Sequence, residues 1–226
     1  MKKGVKMKLI TFQTKEALKV LQKDGILKAN VAHIDLQKYG VPYDWIVHEM
    51  KKHKILPKQG EQYPLWAWAK CGSSIGPKKK KNINQITQNL VKIVFAKNTN
   101  EVLLSDYMAY SFILNGQIVP KDKKEYPNFL KQMESQGISL EDLKNFVRHQ
   151  KIKPNIPINE IQKSWPRIFD LKSYVHQACV WNIKISEVIT TDTLDDPNYI
   201  YGTMNAKRLD GSRPDWKNEY LKFLSD

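Results

Sequence analysis

Two cysteines, Cys71 and Cys179, are all that 226 residues contain. They are too few for a disulfide framework or a four-cysteine zinc site, which points to a reducing, cytoplasmic setting. No apolar run approaches the roughly 20 residues that a membrane span requires. The basic start, Met1 to Phe12, has no uninterrupted apolar stretch, so it does not read as a signal peptide. Glycine and proline are scarce, at 10 and 11 residues. Apolar residues make up 41% and aromatics 10%, enough to build a core and to exclude a wholly disordered chain. Catalytic signatures are missing too. No GxxxxGK[ST] or GxGxxG loop follows a strand, and GxSxG, HExxH and CxxC are absent. His48 and His53 are five apart, the wrong spacing for a helical zinc pair, and His33, His149 and His176 stand alone. No metal site is read.

Positive charge is abundant, with 37 Lys+Arg against 23 Asp+Glu and a formal net charge of +14. Residues 1–113 carry a balance of +12 and residues 114–226 only +2. The excess gathers at Lys51, Lys52, Lys54 and Lys58, at Lys70, and in the run Lys78, Lys79, Lys80 and Lys81. One-sided basic charge draws polyanions, so RNA or single-stranded DNA is the expected partner and these lysines the expected contacts. Only four arginines are present, and lysine meets phosphate as a point charge, which argues against base-edge reading in the basic half. The same lysines also suit a solvated face or the C-terminal dipole of a helix ending near His53.

Periodicity predicts an α+β chain with a mixed or antiparallel sheet flanked by helices. Strands are expected at 8–13, 63–70, 90–96 and 177–185, with an extended piece at 102–104. Thr14 is placed to cap a helix over 15–23 that Gly25 stops. Further helices are expected at 43–53, 106–114 (capped by Ser105), 126–136, 139–150 and 159–164, with an amphipathic piece at 216–224. Ser139 and Asp142 form a variant capping box. The organisation read from this is one domain over 1–189, a helical insertion at about 121–164 and a C-terminal extension over 190–226. Helices 126–150 are a candidate docking surface for a protein partner.

Polar residues set among aromatics are the chemical candidates. Gln13 and Thr14 close the first strand, Tyr63, Trp66 and Trp68 line the next, and Asp106 and Tyr110 open a helix. Gln177 begins the late strand. Aromatic faces beside amides and hydroxyls suit a nicotinamide or nucleobase pocket, and core packing is the alternative use of the same rings.

The blocks Ile10–Leu18, Tyr43–Ile46, Tyr63–Trp68, Glu101–Tyr107, Ser164–Leu171 and Gln177–Trp181 run in order along the chain. They resemble the small bacterial family catalogued as domain of unknown function 3841, over about residues 8 to 188. The block order is also similar to that of the ADP-ribosyltransferase superfamily, which implies a split sheet and NAD as substrate. By that resemblance Gln13 and Thr14 take the first-strand role on the nicotinamide side, and Tyr63 and Trp66 the second-strand role, with Trp68 and Tyr110 beside them. Gln177 or Asp106 does the work of the acid near the reacting ribose. The first strand lacks the usual Arg or His, and the late strand carries Asn182 where an acid is wanted, Glu187 being the nearest carboxylate. The expectation is an NAD-dependent transferase acting on nucleic acid or protein, in a toxin or phage–host setting. A non-enzymatic basic binding protein and an inhibitor that docks a partner are the alternatives.

Overall fold

A computed structural model describes residues 5–70, 90–148, 152–193 and 216–225. The class is α+β, a six-stranded antiparallel sheet flanked by helices. Its strands are β1 (Lys6–Thr14), β3 (Leu65–Lys70), β4 (Leu90–Asn98), β5 (Leu103–Asp106), β6 (His176–Val180) and β8 (Val188–Thr193), in the order β5-β6-β3-β1-β4-β8. A two-stranded sheet pairs β2 (Ile26–Lys28) with β7 (Asn182–Lys184). The helices are α1 (Lys15–Asp24), α2 (Leu36–Lys52), α3 (Tyr107–Ile113), α4 (Glu125–Ser135), α5 (Leu140–Val147), α6 (Ile158–Ser164) and α7 (Trp216–Leu221).

The chain divides into two compact units. The first takes Met1–Asn30, His53–Leu104 and His176–Pro214; the second takes Val31–Lys52, Ser105–Val175 and Asp215–Asp226.

In the first unit β1 carries the sheet. It pairs with β4 along its whole length, from Lys6↔Asn98 to Thr14↔Leu90, and with β3 at Ile10↔Trp68. Residues in register share a face. Leu9, Ile93, Phe95, Ala67, Ala178 and Val180 therefore form one apolar side, sealed by Leu21 of α1, Leu27 of β2 and Ile183 of β7. Thr14 ends the strand and starts α1 in one residue, its hydroxyl accepting the Ala17 N–H at 3.1 Å. Gly25 stops the helix in the left-handed region, at φ 73°.

Four expectations shift. Helix α2 begins at Leu36 rather than Tyr43, because a non-helical residue, Tyr39, resets the helix and leaves Pro42 in a first turn, where its missing N–H costs nothing. The cap of α3 is Asp106, not Ser105: the strand stays extended one residue further, and the Asp106 carboxylate accepts the N–H groups of Met108 and Ala109. The late apolar segment is two strands, β6 and β7, because the chain leaves the large sheet at Trp181. Strand β8 lies outside the expected strands and runs into the expected C-terminal extension, and its β-branched Val188, Ile189, Thr190 and Thr191 suit an edge strand against β4.

The second unit packs around Trp165. Trp45 meets its edge at 5.4 Å, Phe146 stacks at 6.1 Å, and its indole N–H donates to the Gln117 carbonyl at 2.9 Å. Helix α7 belongs to this core, with Tyr220 and Leu224 buried and Lys217 donating to the Gln117 side chain. The capping box of α5 forms as expected, Ser139 and Asp142 bonding each other's backbone N–H. Gly116 ends the α3 segment at φ 66°, and a Cβ there would collide with the Leu143 carbonyl oxygen.

Gly116→Ala should cost roughly 2–4 kcal/mol, because strain and a backbone clash act together. Gly137→Ala, at φ 68° with open space around it, should cost only about 1 kcal/mol. Urea denaturation of both variants checks this, and equal losses would refute the clash. Hydrogen bonds from Lys153 and Ser139 pull the Asp142 carboxyl down to about 2. Its folded pKa is depressed, so the capping contribution is complete above roughly pH 3.9 and fades as pH falls toward 2. An NMR titration should find this carboxyl titrating near pH 2; an ordinary midpoint near 4 would contradict the box.

Candidate functional site

The register of the first unit brings one row of candidates together. Ile10 of β1 faces Trp68 of β3, and Trp68 faces Gln177 of β6. Trp66 lies on the same side, opposite Cys179. This face is the reverse of the apolar core, and its polar feature is the Gln177 amide. Gln177 is 6% exposed, and its Nε2 has no hydrogen-bond partner among the described residues. A buried amide donor left unpaired costs about 1–3 kcal/mol, so such a group calls for an acceptor.

Gln13 occupies the other face. It pairs across the strand with Val91, in phase with Leu9 and Thr11, and its amide donates to the Thr11 hydroxyl at 2.9 Å. Thr11 in turn donates to the Trp66 carbonyl at 2.9 Å, which ties β1 to β3 beside the row. Thr14 is at the end of β1 as the cap of α1, and Tyr63 is half-buried just before β3. Asp106 and Tyr110 belong to the second unit. Asp106 is fully buried: besides capping α3, it accepts the Ser173 N–H at 2.6 Å and the Ser173 hydroxyl at 2.8 Å. Four donors on one carboxylate make it a clamp between the start of α3 and the segment at Ser173.

Of the lysines expected to meet nucleic acid, Lys51 and Lys52 end α2, and Lys52 is 3.3 Å from Glu49. Lys54 holds a left-handed backbone at φ 61°. Lys58 pairs with Glu101 at 2.7 Å, and that bond raises the Lys58 ammonium and lowers the Glu101 carboxyl. Lys70 closes β3, and Lys78, Lys79, Lys80, Lys81 and Cys71 lie outside the described residues. Cys179 is wholly buried, and burial pushes its thiol well above the ordinary value.

A cation absent from the sequence expectations lies at the centre of the first unit. Lys97 is 3% exposed and sits on the core side of β4, in phase with Val91, Ile93 and Phe95. Its ammonium donates to both Glu187 carboxylate oxygens at 2.8 and 3.0 Å, and to the Asn182 backbone and side-chain oxygens at 3.0 and 3.1 Å. Asn182 passes its own amide N–H to Glu61. Burial pushes the Glu61 carboxyl up, but hydrogen bonds from Asn182 and the Gln59 backbone outweigh it and hold it below the usual range. A pocket of about 130 Å³ opens over this network, lined by Lys54, Lys58, Lys97, Glu101, Trp181 and Asn182 among others. The signal in the sequence is phase: in β4, Lys97 falls on the same side as Val91, Ile93 and Phe95, whereas Lys92 falls on the other.

Among the described residues no cluster of three or more His, Cys, Asp or Glu is placed to hold a metal ion. No described helix is long and apolar enough to cross a membrane. The fold and this face thus define an α+β protein with an antiparallel sheet that carries the buried Gln177 amide. The chain belongs to the family described as domain of unknown function (DUF3841), which matches residues 8–189. No curated protein and no solved structure matches it.

Removing one partner of the Lys97–Glu187 pair strands a buried charge. Lys97→Ala and Glu187→Gln should each cost about 3 kcal/mol, and the double variant should cost less than their sum. A double-mutant cycle by urea denaturation checks this, and strictly additive losses would show that the pair is not coupled.

Proposed function

We propose that the chain is an ADP-ribosyltransferase-like protein that takes NAD as substrate and transfers ADP-ribose to a nucleic acid or a protein. The supporting observation is the Gln177 amide, buried beside Trp68 on β6 with its donor unpaired. The reading needs its first, second and late strands side by side, and β1, β3 and β6 are neighbours in the sheet.

In this chemistry the C1′–N bond of the nicotinamide ribose breaks, and nicotinamide leaves with the bonding pair. The positive charge that develops at C1′ is met by an acceptor lone pair, and the acceptor's proton passes to solvent. Gln177 suits two tasks: its N–H orients a ribose hydroxyl, and its carbonyl oxygen stabilises the charge that develops only in the transition state. A flat aromatic neighbour adds a stacking surface for the nicotinamide. Strand β6 supplies no carboxylate, and His176, adjacent to Gln177 on the strand, alternates to the opposite face. The acceptor is therefore one already nucleophilic, such as a phosphate or a ring nitrogen, and the +12 charge of residues 1–113 favours a polyanion. A cytoplasmic toxin or a factor in phage–host conflict fits such an activity.

The basic first half alone also favours a second reading, a non-enzymatic nucleic-acid-binding protein. NAD labelled on the adenylate phosphate separates the two when incubated with total RNA, denatured DNA and cell lysate. Label should enter one macromolecular fraction, and Gln177→Ala should lower it at least tenfold. Absence of label from every fraction, with active controls alongside, overturns the transferase reading and leaves the binding protein.

A further inference from the structure

The second unit carries its own basic and aromatic surface, built from three separated segments. Tyr174 and Phe223 are the centre of it. Both rings are exposed, at 41% and 40%, and they meet edge to face with centroids 5.5 Å apart. The segment at 121–123 joins them through two contacts: the Lys172 ammonium donates to the Lys121 carbonyl at 3.4 Å, and the Lys123 N–H donates to the Ser225 carbonyl at 3.3 Å. Lys121, Lys123, Lys172 and Lys222 are all exposed around the ring pair.

Three acids lie near these lysines in the chain: Asp122, Glu125 and the exposed Asp170. Asp122 accepts the backbone N–H groups of Lys124 and Glu125 at the start of α4. Glu125 is engaged by the Arg167 guanidinium at 2.6 Å and by the Lys121 N–H. The composition hides the patch, since residues 114–226 balance to only +2 as a whole.

We propose that this surface docks single-stranded nucleic acid. Exposed planar rings offer a stacking face to any unpaired base, and lysines on either side track the phosphates without reading sequence. Duplex bases are already stacked, so the rings select single strands. The apolar area is two rings, one of them a tyrosine, which is little to anchor in a lipid surface and enough to hold a base. The inference uses no residue of the NAD reading and survives its failure. If both hold, the patch binds the acceptor.

The test measures fluorescence anisotropy of a fluorescein-labelled RNA or DNA single strand of about 20 nucleotides, without NAD, at roughly 50 and 200 mM salt. The wild-type chain should bind, and more weakly at the higher salt. Tyr174→Ala with Phe223→Ala should weaken binding roughly tenfold or more at both salts, while Tyr174→Phe should keep it. Lys121→Ala with Lys172→Ala should flatten the salt dependence, and Lys19→Ala with Lys23→Ala on α1 should leave it alone. All the substituted side chains are exposed, and circular dichroism checks that each variant folds. No binding by the wild type overturns the proposal. So does unchanged binding by the ring variant, or by the Lys121 and Lys172 variant. Release of the strand by vesicles of anionic lipid would assign the surface to membrane and overturn it as well.

Discussion

The register of β1 is the constraint on which the rest of the first unit depends. Nine consecutive residues of β1 pair with β4, and one pairs with β3 at Ile10↔Trp68. Because side chains alternate, a slip by one residue would exchange the two faces. Leu9, Thr11 and Gln13 would leave the core side, and Ile10 and Phe12 would take their place. Ile10 would leave the row it forms with Trp68 and Gln177. Pairing along the whole strand makes that slip expensive, and Thr14 fixes the end by serving as the helix cap as well.

Two buried charges illustrate opposite uses of polar groups. Asp106 spends its carboxylate on four donors from two segments of the second unit, and so pins the start of α3 to Ser173. Lys97 spends its ammonium on Asn182 and Glu187, and so holds β7 and the approach to β8 against β4. In both, the cost of desolvating a charge is offset by saturating its bonding capacity. Gln177 differs, because its amide is buried to a similar degree and one donor stays unmatched. Among the described residues the buried Ser105 hydroxyl, next to Asp106, shares that condition.

Much of the local structure was legible in the sequence. Thr14 and Gly25 bounded α1, the Ser139 and Asp142 pair announced α5, and the apolar run of β4 announced a central strand. Each of these signals lies within a few neighbouring residues. The family resemblance rested on aromatic blocks in order, and the match over residues 8–189 bears it out. What escaped was set by distance along the chain. The partners of Lys97 are 85 and 90 residues away, so its phase in β4 put it on the core side but nothing near it said what would pair its charge. Trp181 broke the late strand because its indole N–H reaches the carbonyl of Ile55, 126 residues earlier. Threonine hid β8, since a polar composition outweighed its β-branching. Asp106 showed as a chemical candidate, and only the fold reveals the four donors it holds.

The account turns on Gln177 meeting a ligand with its unpaired amide. Titrating NAD into the protein while following the Gln177 side-chain amide by NMR tests that directly, with Gln13 as the internal comparison. The amide resonances of Gln177 should move on binding, while those of Gln13, bonded to Thr11 on the other face, should move far less. Resonances of Gln177 that stay fixed at saturating NAD would contradict the account.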